Sequence, residues 1–362
     1  MNKIYLDNSA SAPIRREVID VMTHVYENIH GNPSSLHAAG FEAENVITEA
    51  RRNILKALKM QGRIIFCGSG TEANNLAVSG TIRAKNRKVK RIVTTDSEHP
   101  SILEAVKVLD DVEVVFLSTK HGVIDIEEVK NAVNEDTMLV SVMLVNNETG
   151  AVYDVKTIFD AVKRINPAAV THCDAVQGFG RVCGINADLI TLSAHKIHGP
   201  KGIGALFCKE QVITSKRLVS IIYGGGQERG FRSGTENTAG IAGFGEAVKY
   251  KADINLRDHL IENLPVKVNI PHGEYAPHII SITLPRIKSE TMLHYLSGKG
   301  IYVSSGSACS KNKRSHVLLA FGLNEMEADC SLRISLSAFN TIEEIDRFII
   351  ELKNGLDSLI RM

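Results

Sequence analysis

The stretch Ser193-Ala194-His195-Lys196-Ile197-His198-Gly199-Pro200-Lys201-Gly202 directly follows the apolar run Leu189–Leu192. A short continuous apolar run bounded by Gly and Pro reads as a buried strand. Lys196 therefore stands just past a strand's carboxyl end, in a stiff turn that suits a lysine held over a ligand; a lone surface lysine is the alternative. Upstream, the strand Ala169–Cys173 leads into Asp174-Ala175-Val176-Gln177. Asp174 can cap a helix there, or hold a protonated ring nitrogen. Further upstream, the strand Arg63–Cys67 runs into Gly68-Ser69-Gly70-Thr71-Glu72-Ala73-Asn74, which opens a helix at Thr71. Its glycines permit close backbone approach, and the helix N-terminus with the Thr71 hydroxyl suits a phosphate. A tight turn capped by Thr71 is the other reading. The GxxxxGK[ST] spacing is missing, so this is not a nucleotide P-loop. All three motifs sit at strand ends, where open α/β sheets bind ligands.

Outward from these motifs, strands alternate with helices. Helical spacing covers Ile14–Asn28 and Ser34–Leu58, and strands are expected at Arg91–Thr95, Val112–Leu117, Met138–Val145 and Ile203–Phe207. Helices begin at Pro100 and span Val155–Ile165. Continuous apolar strands between helices imply a mostly parallel sheet covered on both faces. After Gly224-Gly225-Gly226 the pattern changes. A long helix from Thr235 towards Leu260 leads into strands Val266–Ile270, Ile279–Leu284 and Leu332–Ser337, with helices at Ser289–Ser297, Arg314–Phe321 and Ile342–Ile360. Two units follow: a large α/β domain over 14–250, and a smaller α+β domain made of 1–13 and 251–362.

The 362 residues carry 42 basic and 41 acidic side chains, a net charge of +1. That balance gives no long-range pull towards nucleic acid or an anionic membrane. No apolar run approaches the ~20 residues that span a bilayer. The start, MNKIYLDNSASAP, reaches Asp7 before any apolar stretch, unlike a secretory signal. A soluble cytoplasmic protein is the expectation.

Six cysteines, at 67, 173, 183, 208, 309 and 330, form no CxxC pair. This argues against a zinc ribbon, a ferredoxin cluster or a thioredoxin motif. His195 and His198 have HxxH spacing but no nearby carboxylate or third ligand, so no metal site is expected. Cys67, Cys173, Cys208 and Cys330 adjoin apolar strands and read as buried thiols; Cys183, in a turn-like stretch, is ambiguous. Cys309 lies in Ser304-Ser305-Gly306-Ser307-Ala308-Cys309-Ser310, followed by Lys311, Asn312, Lys313 and Arg314. Small residues and flanking positive charge favour an accessible thiolate, the nucleophilic form.

Taken together, the phosphate-type loop, Asp174 and Lys196 resemble a fold-type I pyridoxal-phosphate (PLP) enzyme. Further motifs narrow the resemblance: Asp7-Asn8-Ser9-Ala10, Gly31-Asn32-Pro33-Ser34-Ser35, Glu98-His99-Pro100, Asn146-Asn147-Glu148-Thr149-Gly150, Arg232-Ser233-Gly234-Thr235-Glu236-Asn237 and the Cys309 loop. From Ile4 to about Phe348 the chain is similar to cysteine desulfurases of the nitrogen-fixation and iron–sulfur assembly type, in the class-V aminotransferase family. The resemblance implies a large domain with a mostly parallel seven-stranded sheet and a small domain carrying the cysteine loop.

It also implies site residues. Lys196 would bind PLP as a Schiff base and later move the Cα proton. His99 would stack on the pyridine ring and assist proton transfer, and Asp174 would pair with the pyridinium nitrogen. Gln177 and Asn147 would bond the phenolate oxygen. Gly70, Thr71, Ser193 and His195 would hold the phosphate, with Thr235 reaching across a homodimer to the other subunit's phosphate. Arg333 would clamp the carboxylate of L-cysteine, assisted by Asn147. Cys309 would take the sulfur as a persulfide, release L-alanine, and pass the sulfur to an acceptor protein serving iron–sulfur clusters, thiolated tRNA or a cofactor. A selenocysteine lyase or another class-V aminotransferase is the alternative, although an aminotransferase needs no such cysteine loop. A dinucleotide-binding dehydrogenase lacks support, because no GxGxxG follows a first strand. Two departures from the family pattern are the basic stretch after Cys309 and shorter segments after Thr235 and after Arg333.

Overall fold

The structure is a computed structural model that describes residues 3–84, 89–251, 254–305 and 314–359. Cys309 and Lys311–Lys313 lie outside the described residues.

Seven strands form one sheet in the order Arg63–Cys67, Gly204–Cys208, Leu189–Ser193, Val170–Asp174, Thr137–Met143, Arg91–Thr95, Glu113–Leu117. Only Gly204–Cys208 runs antiparallel to its neighbours, and every other adjacent pair is parallel. The expected mostly parallel, seven-stranded sheet is therefore present. Side chains alternate between its faces. Ile64 and Phe66 join one apolar cluster, Ile65 and Cys67 the other. A sheet buried on both faces needs uniformly apolar strands, and Gly204–Cys208, GALFC, is buried throughout.

Register brings the motifs to one edge. Cys67 and Ser193 both pair with Gly204, while Met143 pairs with Asp174 and Asp174 with Thr191. The turns after Cys67, Thr95, Met143, Asp174 and Ser193 all leave the sheet on that side. Gly204 has to be glycine there: a Cβ would sit 2.4 Å from the Ser69 carbonyl carbon and 2.7 Å from the Gly70 nitrogen.

A separate, third apolar cluster joins Ile4, Leu6, Leu260, Ile282, Leu332, Ile334 and Leu352. Its sheet pairs Lys267–Val268, Ile279–Thr283 and Ser331–Ser335 antiparallel. The strand Ile4–Tyr5 pairs in parallel with Ile301–Tyr302, and Asp7 bridges to Ser335. The N-terminal residues thereby run beside the C-terminal third of the chain.

Several expected boundaries shift. The single long helix from Thr235 is two helices, Thr238–Ala247 and Arg257–Asn263. The first buries Ile241 and Phe244 in the large-sheet cluster, and the second buries Leu260 in the other. One straight rod cannot serve two cores, so the chain breaks between them. The strand expected to reach Val145 stops at Met143; Val145 instead bridges Val152 antiparallel, and the chain reverses over residues 146–150, closed by the Gly150 N–H to the Asn146 carbonyl. The first helices begin at Arg16 and Ala38, later than their apolar spacing suggests. In the second, the His37 ring accepts the Gly40 N–H and so fixes the start. Ser315 caps the helix His316–Phe321. No helix among the described residues is long and apolar enough to cross a membrane.

Candidate active site

The helix Gly70–Arg83 opens directly off its strand, with Ser69 as N-cap, accepting the Glu72 N–H at 3.1 Å. The cap is thus Ser69 and not Thr71. Thr71 is exposed in the first turn, which leaves its hydroxyl to a ligand at the positive end of the helix dipole. Gly70 packs on the neighbouring strand end, where an added Cβ would lie 3.4 Å from Ser193 Cβ. Ser193 Oγ is buried with no partner. A cleft of about 230 Å³ opens here, lined by Ser11, Ser69, Ser193, His195 and Lys201. Burial, then the positive charges of Lys196 and Lys201, push His195 down to about 4. Its neutral ring meets Ser11 Oγ at 3.3 Å.

Asp174 is 6% exposed. Its Oδ1 accepts the Val176 N–H at 3.0 Å and its Oδ2 accepts Asn74 Nδ2 at 2.8 Å. Both donors are neutral amides, and no Lys or Arg forms an ion pair with it among the described residues. A buried carboxylate supported in that way suits a cationic ring N–H. Gln177 donates Nε2 to the Ser9 carbonyl at 2.9 Å, leaving its second amide hydrogen for a ligand.

The segment Asp7–Ala10 passes across this edge. Lys196 Nζ donates to the Ser9 carbonyl at 2.5 Å and the Ala10 carbonyl at 2.8 Å. Arg333, 5% exposed, sends Nη2 to Asp7 Oδ1 at 2.7 Å and Nη1 to the Asn147 carbonyl at 2.9 Å. Its Nε is buried without a partner, which leaves one donor of the guanidinium unused. Asn147 stands in a turn that Asn146 closes by accepting the Glu148 and Thr149 N–H groups at 2.9 and 3.0 Å. His99 caps the helix Pro100–Lys107 through its own ring. Thr235 is exposed and stands apart from this network, and Cys309 lies outside the described residues. Lys196, Gln177, Asn147 and Arg333 are thus joined through the N-terminal segment. Asp174 and His99 are joined through Asn74 and Ser101.

Residue-by-residue reading missed Asp7, Ser9, Asn74 and Ser101. Asp7 and Ser9 belong to a motif already singled out, yet nothing local tells which distant side chain they meet.

Burial raises the remaining thiols. Cys67 and Cys173 are well above the usual range and Cys208 is pushed up to about 12, while Cys330 is raised by burial and Asp329. None of these four supplies a thiolate. Cys183 is exposed. No cluster of three or more metal-ligating side chains occurs among the described residues.

Glu98, beside His99, is fully buried. Its Oε1 accepts Thr95 Oγ1 and the Met143 N–H, both at 2.9 Å, and its Oε2 has no partner. Burial, opposed by the Met143 bond and reinforced by Asp174, pushes its carboxyl up to about 8. The folded chain therefore keeps this proton over a range in which the unfolded chain, with an ordinary value of 4.5, has lost it. Stability from this group is complete below that ordinary value and declines as the pH rises towards about 8. Glu98→Gln should flatten the decline by roughly 1–3 kcal/mol, read as urea midpoints at mildly acidic and mildly alkaline pH. An unchanged slope would contradict it.

The residues fit pyridoxal phosphate. A helix N-terminus and an unpartnered serine hydroxyl suit the phosphate, an uncompensated carboxylate suits the ring nitrogen, and a lysine amine lies alongside. Comparison with known proteins agrees. Residues 4–348 match the family model described as aminotransferase class-V. The cysteine desulfurase IscS of Clostridium botulinum is 38% identical over 97% of this chain and 94% of its own length. The cysteine desulfurase IscS 1 of Archaeoglobus fulgidus is 36% identical, over 99% of this chain and 98% of its own. Among solved structures, a NifS-like protein superposes with a TM-score of 0.91 at 33% identity, covering 99% of this chain and all (100%) of that one. A structure described as SspA in complex with cysteine gives 0.83 at 30% identity, over 94% of this chain and 100% of that one. With motifs, fold and near-full-length similarity in agreement, this chain belongs to the class-V aminotransferase family, alongside its cysteine desulfurases.

Proposed function

We propose that the chain is a PLP-dependent cysteine desulfurase, converting L-cysteine to L-alanine and leaving the sulfur as a persulfide on Cys309. The observation that carries this reading is the N-terminal segment: Asp7 holds the buried Arg333, and two residues on, the Ser9 carbonyl holds Lys196. An amino-acid carboxylate on the Arg333 Nε side would stand close to the lysine amine.

When bound, PLP supplies the electron sink that makes the Cα proton removable. Asp174 would keep its ring nitrogen protonated, and Gln177 and Asn147 would bond its phenolate oxygen. Gly70, Thr71, Ser193 and His195 would hold its phosphate, together with Thr235 of a second subunit. Lys196 Nζ leaves the Ser9 and Ala10 carbonyls to carry the cofactor and to move the Cα proton. Arg333 orients the carboxylate, and His99 assists proton transfer. The Cys309 thiolate attacks the substrate sulfur: an S–S bond forms, the C–S bond breaks with its electron pair passing to Cβ, and protons returned to Cβ and Cα complete alanine, which leaves. Residues 14–250 form the cofactor-holding unit; 1–13 and 251–362 form the unit that carries the cysteine loop.

The working protein is a cytoplasmic homodimer that hands sulfur to an acceptor protein. Leu36, Phe41 and Tyr223 are large apolar or aromatic side chains exposed in the single chain, which supports a second copy covering them. The test is the PLP-loaded protein with L-cysteine, assayed for alanine and for persulfide mapped to Cys309, with sedimentation of the same sample. Alanine with stoichiometric persulfide in a dimer is expected. A product other than alanine, or sulfur mapped to another cysteine, would overturn the assignment.

A further inference from the structure

Asn74 is 1% exposed, on the helix behind Asp174. Its Nδ2 donates one hydrogen to Asp174 Oδ2 at 2.8 Å and the other to Ser101 Oγ at 2.8 Å. A carboxylate only accepts, so Asp174 dictates which way this amide points. The Ser101 oxygen also lies 2.8 Å from His99 Nδ1, and because Nδ1 accepts the Ser101 backbone N–H, the hydroxyl meets it as a second donor while its own lone pair takes the Asn74 hydrogen. The Ser101 backbone N–H is aimed at the same nitrogen, at 3.1 Å. With two donors directed at it, Nδ1 is the bare nitrogen, and the ring proton sits on Nε2.

We infer that Ser101 is a positioning residue which, through this relay from Asp174 and Asn74, keeps His99 neutral with its proton on Nε2, so that His99 meets the reacting atoms as a hydrogen donor and not as a base. The inference builds on the desulfurase reading above. Of the groups facing His99, Asp174 favours the charged ring, whereas Lys196, from the turn after the neighbouring strand, and His316, at the start of the helix His316–Phe321, oppose it. Burial is the largest influence, and the balance lowers His99 below its ordinary value. Hydrogen bonds to Nδ1 stabilise the neutral ring further, because that nitrogen accepts them only while unprotonated. Removing the Ser101 hydroxyl should therefore make His99 easier to protonate.

The experiment uses PLP-loaded protein labelled with ¹⁵N in the histidine rings, with the His99 signals identified by their loss in His99→Gln. Wild-type protein should show the Nε2–H pattern across about pH 6 to pH 9. In Ser101→Ala the titration should move up by at least about half a pH unit. The kcat for alanine release should fall about tenfold, with the acidic limb of its pH profile moving the same way, and KM and cofactor retention should stay within about twofold. Ser101→Thr, which keeps the hydroxyl, should restore all of these. A proton on Nδ1 in wild-type protein, or a titration unmoved in Ser101→Ala, overturns the inference. The ring pattern is read without turnover. An Nε2–H His99 that titrates as expected in a protein inactive on L-cysteine supports this inference and counts against the desulfurase reading instead.

Discussion

Cys309→Ser should retain PLP and bind L-cysteine, yet lose alanine release by at least about two orders of magnitude, roughly 2.7 kcal/mol of barrier. The reason lies in the nucleophile. A serine hydroxyl is almost wholly protonated near neutral pH and attacks sulfur poorly, whereas a thiol followed in sequence by Lys311, Lys313 and Arg314 is expected to favour its thiolate. No buried cysteine can replace it, since Cys67, Cys173 and Cys208 are all shifted away from the ionised form. The early half of the reaction should survive. In deuterated buffer the Cα hydrogen of L-cysteine should still exchange at close to the wild-type rate, because the proposed mechanism gives that step to Lys196. Wild-type alanine release from the serine variant would show that the sulfur leaves by another route.

Lys196→Ala should fail earlier and at least as severely, by roughly 10³-fold or more in turnover. Neither exchange of the Cα hydrogen nor alanine should be seen at wild-type rates, and borohydride reduction should no longer fix the cofactor on the chain. In the wild-type protein the same treatment should map it to Lys196. The variant also strands two carbonyls, Ser9 and Ala10, that the amine now serves. Where water cannot reach them this costs about 1–3 kcal/mol, so the variant should melt lower than wild type when both are compared free of cofactor. The two variants together should divide the reaction as proposed: one would block sulfur transfer after the Cα proton moves, the other the proton itself. Reductive trapping on a different lysine would sink this division.

Local signals account for most of what was legible in the chain. Arg63–Cys67, Arg91–Thr95 and Val155–Ile165 are read from the sequence with the limits they have in the structure. In each, an apolar pattern of one period ends at a polar or glycine boundary. The strand-end positions of Asp174 and Lys196 follow in the same way, because a motif just after a buried strand must lie at the sheet's edge. Residue order and period thus determined the sheet, its mainly parallel character and the edge on which chemistry gathers.

Tertiary structure decided the partners. Asp7 meets Arg333 across 326 positions of chain, and Asn74 meets Asp174 across 100. No periodicity encodes such distances; they depend on how one strand end packs against another. The break after Ala247 has the same origin, since local helical spacing continues while two separate cores claim its two halves. The direction of the hydrogens from Asn74 through Ser101 to His99 is likewise a property of the assembled site. Each hydrogen's direction follows from an acceptor that only the fold places beside its donor.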